Sequence, residues 1–129
     1  LYHLPRFFSA GSVSHTFYDL YFTEQELVVA FMGDTYRAYF VRANDPGHNR
    51  REEYKDMDIS EIKSDHDKHL VFPIEEIDKI DCKTGSFFKN PYIIIEAKGQ
   101  ILRLYTKDRK LKFDELKKHT HSTYLVNID

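Results

Sequence analysis

Between Thr16 and Phe22, the side chains of Phe17, Asp19 and Tyr21 alternate with those of Tyr18, Leu20 and Phe22. An extended backbone sends successive side chains to opposite faces, so this period of two predicts a strand with rings on both sides. The rest of the chain uses the same materials. Ten Phe and nine Tyr accompany many Ile and Val, with no Trp, and such side chains fit a pleated surface better than a helix face. A chain of 129 residues with 41% apolar side chains has the size of one core. Five Gly and four Pro are too few for a low-complexity disordered chain. The expectation is a mainly β domain spanning residues 1–129.

Residues 1–15 contain Pro5, Gly11 and several Ser and read as an irregular lead-in tacked on by Phe7 and Phe8. Thr23-Glu24-Gln25 turns the first strand into Glu26–Met32. Gly33-Asp34 then suits a type II′ hairpin, whose first central residue is Gly. A returning strand over Thr35–Arg42 would complete a three-stranded meander. Asn44–Lys55 reads as an exposed, mobile loop, because Asn44-Asp45-Pro46-Gly47 is a turn signal and the following residues are nearly all polar. A short helix should follow. Asp58 and Glu61 have capping-box spacing, and Met57 and Ile62 occupy the two positions of a hydrophobic staple. Further strands are predicted at His69–Phe72 and around Ile77, Ile80 and Cys82. Thr84–Asn90 reads as a turn, and Tyr92–Ala97 and Gln100–Tyr105 read as a hairpin turned by Lys98-Gly99. Asp108–His119 is the expected final helix, with Leu111, Phe113 and Leu116 facing inward and basic residues at its end. Residues 121–129 form a tail in which Tyr124-Leu125-Val126 suits an extra strand.

Two stretches resemble a known family. The first is Leu20-Tyr21-Phe22-Thr23-Glu24-Gln25-Glu26-Leu27-Val28-Val29. The second runs from Ile59-Ser60-Glu61-Ile62 through Asp65-His66-Asp67-Lys68 to Val71-Phe72-Pro73-Ile74-Glu75-Glu76-Ile77-Asp78-Lys79-Ile80. They are similar to the strand–turn–strand and the helix–turn–strand segments of bacterial and archaeal pleckstrin-homology-like domains. Ile74 stands where that family carries Tyr or Trp, and Glu26 where a basic residue is common. The resemblance implies an α+β, mainly β fold: a partly open barrel of about seven antiparallel strands, with a short helix after the third strand and a C-terminal helix stopping one end. It implies a binding role rather than a chemical one, because the matched residues encode packing.

Charge and chemistry narrow the function classes. A formal net charge of −2 supplies no general field for nucleic acid or anionic lipid. The rings in Tyr36-Arg37-Ala38-Tyr39-Phe40 and Arg103-Leu104-Tyr105 are read as core rather than as stacking platforms. The single Cys82 allows no internal disulfide, which fits a reducing cytoplasm, and reads as a small buried hydrophobe. Leu1–Ala10 lacks the continuous apolar run of a secretory leader. One local basic group stands out: Arg37, Arg42, Arg50, Arg51 and Lys55. Its arginines have the fork geometry that clamps phosphate or carboxylate, although Glu52 and Glu53 counter it. Asp65, His66, Asp67 and His69 carry metal-ligand atoms, yet adjacent residues in one turn splay apart, so a solvated turn is favoured over a metal site. His15 and His48 have no evident acid partner, and no nucleophile elbow or phosphate loop is present. The expectation is a non-catalytic module without cofactor, cytoplasmic or peripheral to a membrane, that binds protein partners or itself. Anionic lipid or ligand at the arginine group is the alternative, a metal-dependent enzyme is the remote one, and nucleic acid is disfavoured.

Overall fold

A computed structural model describes residues 1–11, 14–36, 47–120 and 123–129. The chain is mainly β. Its strands are β1 (Tyr2–Ala10), β2 (Ser14–Phe22), β3 (Glu26–Tyr36), β4 (Leu70–Pro73), β5 (Ile77–Lys83), β6 (Tyr92–Ala97), β7 (Gln100–Thr106) and β8 (Val126–Ile128). The helices are α1 (His48–Tyr54), α2 (Ile59–Ser64) and α3 (Asp114–Thr120). All eight strands form one mixed sheet in the order β4-β3-β2-β1-β7-β6-β5-β8. Neighbours are antiparallel except β5 and β8, which run parallel with Ile80 opposite Val126. The tail strand expected near Tyr124–Val126 therefore exists, two residues later, and makes an eighth strand in a sheet expected to be wholly antiparallel.

The sheet is curled without being hydrogen-bonded shut. Between β4, at one edge, and β5, next to the other, lies only a single 3-10 turn, Ile74–Glu76. Four residue steps reach roughly 14 Å, whereas six strand spacings across a flat sheet would need about 29 Å. The two edges must therefore bend toward each other. Tyr124, ahead of β8, donates its hydroxyl hydrogen to the Thr23 carbonyl of the β2–β3 turn at 2.8 Å, tying the two sides.

The inner face gathers Leu4, Phe7, Leu20, Leu27, Ile80, Ile93 and Leu104 around Phe113 and Leu116, as the closing-helix expectation required. Helix α3 begins later than predicted. Asp108 instead closes a turn, accepting from the Lys110 amide at 3.1 Å through its side chain and from the Leu111 amide at 3.1 Å through its carbonyl. The outer face of β1–β3 carries Phe8, Phe17, Tyr21, Val28, Ala30 and Met32, covered by Tyr54 of α1 and Ile62 of α2. The predicted capping box of α2 is present: Asp58 Oδ1 accepts from the Glu61 amide at 2.9 Å, and Glu61 Oε1 accepts from the Asp58 amide at 3.3 Å.

Three expectations are overturned. The supposed lead-in is β1, lying between β2 and β7 in the middle of the sheet. Its alternation is broken by a bulge: Leu4 faces Leu20 but Phe7 faces Tyr18, and Arg6 takes φ 68°. Gly33-Asp34 is not a hairpin. β3 runs on to Tyr36, and Gly33, at φ 146°, absorbs a second bulge where Phe17 pairs with Gly33 and Tyr18 with Phe31. The positive φ that glycine allows serves a kink here rather than a turn. The described part of the polar loop, His48–Tyr54, is helix α1. The remainder of the returning strand, including Arg37 and Arg42, lies outside the described residues. The β6–β7 hairpin stands as predicted, with Lys98 (φ 53°) and Gly99 (φ 74°) supplying the two positive angles of a type I′ turn.

Candidate functional site

The β1 bulge has a chemical consequence. It takes the Arg6 amide out of the strand ladder and aims it at the carboxylate opposite, Asp19 Oδ1, at 3.1 Å. Asp19 lies on the outer face of β2 between Phe17 and Tyr21 and is 0% exposed. A buried carboxylate needs a partner, and α1 supplies one. Arg51 approaches fork-first, Nε to Oδ2 at 2.6 Å and Nη2 to Oδ1 at 2.7 Å, while His3 Nε2 sits 2.7 Å from Oδ2. Burial alone would raise the Asp19 carboxyl pKa, but the Arg51 and His3 hydrogen bonds and the Arg51 charge hold it below the usual carboxylate range. The His3 ring stacks on Tyr21, 4.4 Å between centroids and 3° from parallel.

Above this pair lies a groove of about 390 Å³, walled by His3, Tyr21, Tyr54, Met57 and Ile62, with Lys55 at its rim. Its walls come from β1, β2, α1 and the start of α2. Of the buried pair only Arg51 lines the groove, its guanidinium already engaged by Asp19 behind it, so the groove offers a fixed cationic side chain among apolar walls, the usual constitution of a binding pocket.

A second network fastens the far side of α1. The Phe31 amide donates to His69 Nδ1 at 2.8 Å, His69 Nε2 lies 2.8 Å from the Tyr54 hydroxyl, and that hydroxyl donates to Asp65 Oδ2 at 2.6 Å. Because Nδ1 accepts, the proton of neutral His69 sits on Nε2. Burial first, then the neighbouring His66 and Arg50, lower the His69 pKa, and burial pushes the Tyr54 hydroxyl up to about 12.

Of the predicted basic group, the described members Arg50, Arg51 and Lys55 turn to separate partners. Arg51 turns inward to Asp19. Arg50 faces Asp65 at 3.6 Å and lies over the Phe31 ring at 5.7 Å, and exposed Lys55 pairs with Glu52 at 2.9 Å. Arg37 and Arg42 fall outside the described residues. Among Asp65, His66, Asp67 and His69, both His69 nitrogens are engaged, Asp65 accepts from Tyr54, and His66 Nδ1 accepts from the Lys68 amide at 3.0 Å. No group of three or more metal-ligating side chains occurs among the described residues. The turn is nonetheless not simply solvated, since His69 and Asp65 belong to the Tyr54 network. Cys82 is buried, and burial pushes its thiol up to about 12, the opposite of a reactive thiolate. His15 lies in β2 stacked on Phe8, and His48 opens α1. Arg103 lies over the Tyr92 ring at 5.2 Å, while Leu104 is core.

The sequence reading missed Asp19, His3 and Tyr54. One signal was available: a lone acid on the ring-bearing face of a strand is either exposed or paired, and its neighbours Phe17 and Tyr21 argue against exposure. Compared with protein-family models, curated proteins and solved structures, the chain finds no match. Among the described residues no helix is long and apolar enough to cross a membrane.

Proposed function

We propose that this chain is a non-catalytic binding module of pleckstrin-homology-like type, and that the groove over the Asp19–Arg51 pair takes an apolar anchor side chain of a protein partner. Seven successive antiparallel strands, helices between the third and fourth, and a helix after the seventh follow the element order expected of such a domain. The observation that carries the binding reading is the groove itself. Met57, Ile62 and Tyr21 offer it apolar walls, and its lining arginine, Arg51, is already committed to Asp19, which favours holding a ligand over transforming one. Among the described residues Lys55, at the rim, has an exposed pairing with Glu52, of little strength, so a carboxylate beside the anchor can recruit it. A single seated apolar anchor flanked by a polar contact is how most interface affinity arises.

The test places a photo-crosslinkable residue at Lys55 or, as a control, at Lys98 in the distant β6–β7 turn. Crosslinked partner should form from position 55 and not from 98, and Lys55→Glu should weaken capture about tenfold, the equivalent of 1.4 kcal/mol. Equal yields from both positions, or capture indifferent to Lys55→Glu and to Met57→Glu, would sink the proposal.

A further inference from the structure

The β5–β6 connection ends in a turn of unusual composition. Ser86 and Lys89 exchange backbone hydrogen bonds, 2.9 Å from the Ser86 amide to the Lys89 carbonyl and 3.3 Å in return. Phe87 and Phe88 therefore occupy the two central positions of a closed turn. Gly, Asn, Asp or Ser normally fill such positions. Here two rings stand out of the protein, 80% and 85% exposed, and rest edge to face with centroids 4.8 Å apart. The turn is braced from outside. Arg109, between β7 and α3, donates from Nη1 to the Phe87 carbonyl at 2.8 Å and from Nε to Asn90 Oδ1 at 3.3 Å. At its base a Cβ on Gly85 would come within 2.6 Å of Pro91 Cδ. The rings are thus held out by a packed and hydrogen-bonded support.

The surroundings are basic. Residues 83–91 and 107–112, joined by Arg109, carry Lys83, Lys89, Lys107, Arg109, Lys110 and Lys112 against Asp108 alone, in a chain of net charge −2. The Asp108 side chain accepts from the Lys110 amide, and that of Asp129, at the base of the loop, accepts from the Thr84 amide. An exposed pair of rings on a turn whose own segment and bracing segment are both basic fits a flat anionic surface with an apolar interior. Phe belongs at the boundary of headgroups and acyl chains, and Lys and Arg belong beside anionic headgroups. A protein partner would have to bury roughly 1,600 Å² around this tip to bind stably, and two rings on one turn are a small part of that.

We infer that the Phe87–Phe88 turn is a membrane-docking tip that inserts its rings into an anionic lipid surface while the flanking lysines and arginine engage the headgroups. This site is separate from the groove over Asp19, so the same molecule can hold a partner while seated on a bilayer.

Vesicle co-sedimentation of the full chain tests it, with phosphatidylcholine vesicles set against vesicles containing 30% phosphatidylserine as the probe composition. The chain should partition to the anionic vesicles and release in high salt. Phe87→Ser and Phe88→Ser should each weaken partition roughly tenfold, and Lys89→Glu and Lys110→Glu about fivefold or more each. Ile101→Ser, which removes a lone exposed apolar residue on β7, should change nothing. Because the chain has no Trp, Phe88→Trp gives a single reporter, and its emission should shift to the blue on anionic vesicles and not with soluble phosphoserine. Failure of the wild-type chain to sediment, a Phe88→Trp signal that ignores the vesicles, or self-association through the Phe pair in their place would each overturn the inference.

Discussion

Replacing Arg51 by Met tests the physics of the buried pair directly. The substitution keeps the aliphatic stem against the sheet and removes the guanidinium. Asp19 then retains His3 Nε2 at 2.7 Å and the Arg6 amide at 3.1 Å, and loses the two short bonds of 2.6 and 2.7 Å together with the Arg51 charge. Breaking a buried ion pair from one side costs about 3–5 kcal/mol, because the remaining charge stays desolvated. The two surviving contacts put the expectation near the lower end, about 3 kcal/mol, a large share of the roughly 5–15 kcal/mol that holds a domain folded. With a urea m-value of about 2 kcal/mol/M the unfolding midpoint at pH 7 should fall by roughly 1.5 M. Far-ultraviolet circular dichroism, which reports the sheet, is the assay. The pH dependence supplies the sign. The folded carboxyl pKa lies below the unfolded value of about 3.9, so the folded state binds fewer protons, and the stabilisation is present above that pH and lost as pH falls through the folded value. The gap between wild type and Arg51→Met should therefore close in acid. Asp19→Leu combined with Arg51→Met, which leaves no charge behind, should be less damaging than Arg51→Met alone. A midpoint shift under about 0.3 M, or a gap that persists unchanged in acid, would refute the reasoning.

Tyr54→Phe removes the hydroxyl between partly buried His69 and exposed Asp65 and should cost about 1 kcal/mol through the lost hydrogen bonds, read by the same urea titration. His69 has a folded pKa below its unfolded value of about 6.5, so wild-type stability should be full above that pH and decline below it; His69→Gln should flatten this decline, and a decline unchanged in the variant would exclude His69 as its source. Asp58→Ala, which deletes the N-cap of α2, should cost about 1 kcal/mol, and an unchanged melting temperature would show that the capping box does not hold the helix. Gly99→Ala meets no atom within 4 Å but keeps φ at 74°, so it should destabilise by about 1 kcal/mol through backbone strain alone; a neutral result would mean that the turn re-forms in another type.

Local chemistry made much of the fold legible. β2 and the β6–β7 hairpin announce themselves by alternation and by Lys98-Gly99, and α2 by the Asp58–Glu61 box, because each of these signals is complete within about ten residues. Where a local signal has two physical meanings, the residues alone favour the commoner one. Gly33 supplies a positive φ that a hairpin and a bulge both need, and only the partner strand decides between them. β1 was hidden by its own bulge, since an extra residue at Pro5-Arg6 shifts the period of two by one. Helix α1 has no apolar stripe to recognise. It meets the sheet through Arg51, which finds Asp19 32 residues earlier, and through Tyr54. The place of Arg51 in the groove depends on that long-range pairing, so neither member identified the other from sequence. The Phe87–Phe88 pair was readable in principle, as two large rings inside a segment already recognised as a turn.

The position of β1 has one more consequence. Residues from Tyr2 to Pro73 supply the four strands on one side of the sheet, and those from Ile77 to Ile128 the four on the other. Across the middle, β1 and β7 share two register pairs, Phe7 with Thr106 and Phe8 with Tyr105. The molecule is thus two consecutive halves joined by a short hydrogen-bonded seam, a three-residue tether, the Tyr124–Thr23 bond and a shared core. Two copies that traded their second halves would rebuild the same seam twice with no new contact, so the tether at Ile74–Glu76 decides whether the halves find each other or a neighbour's.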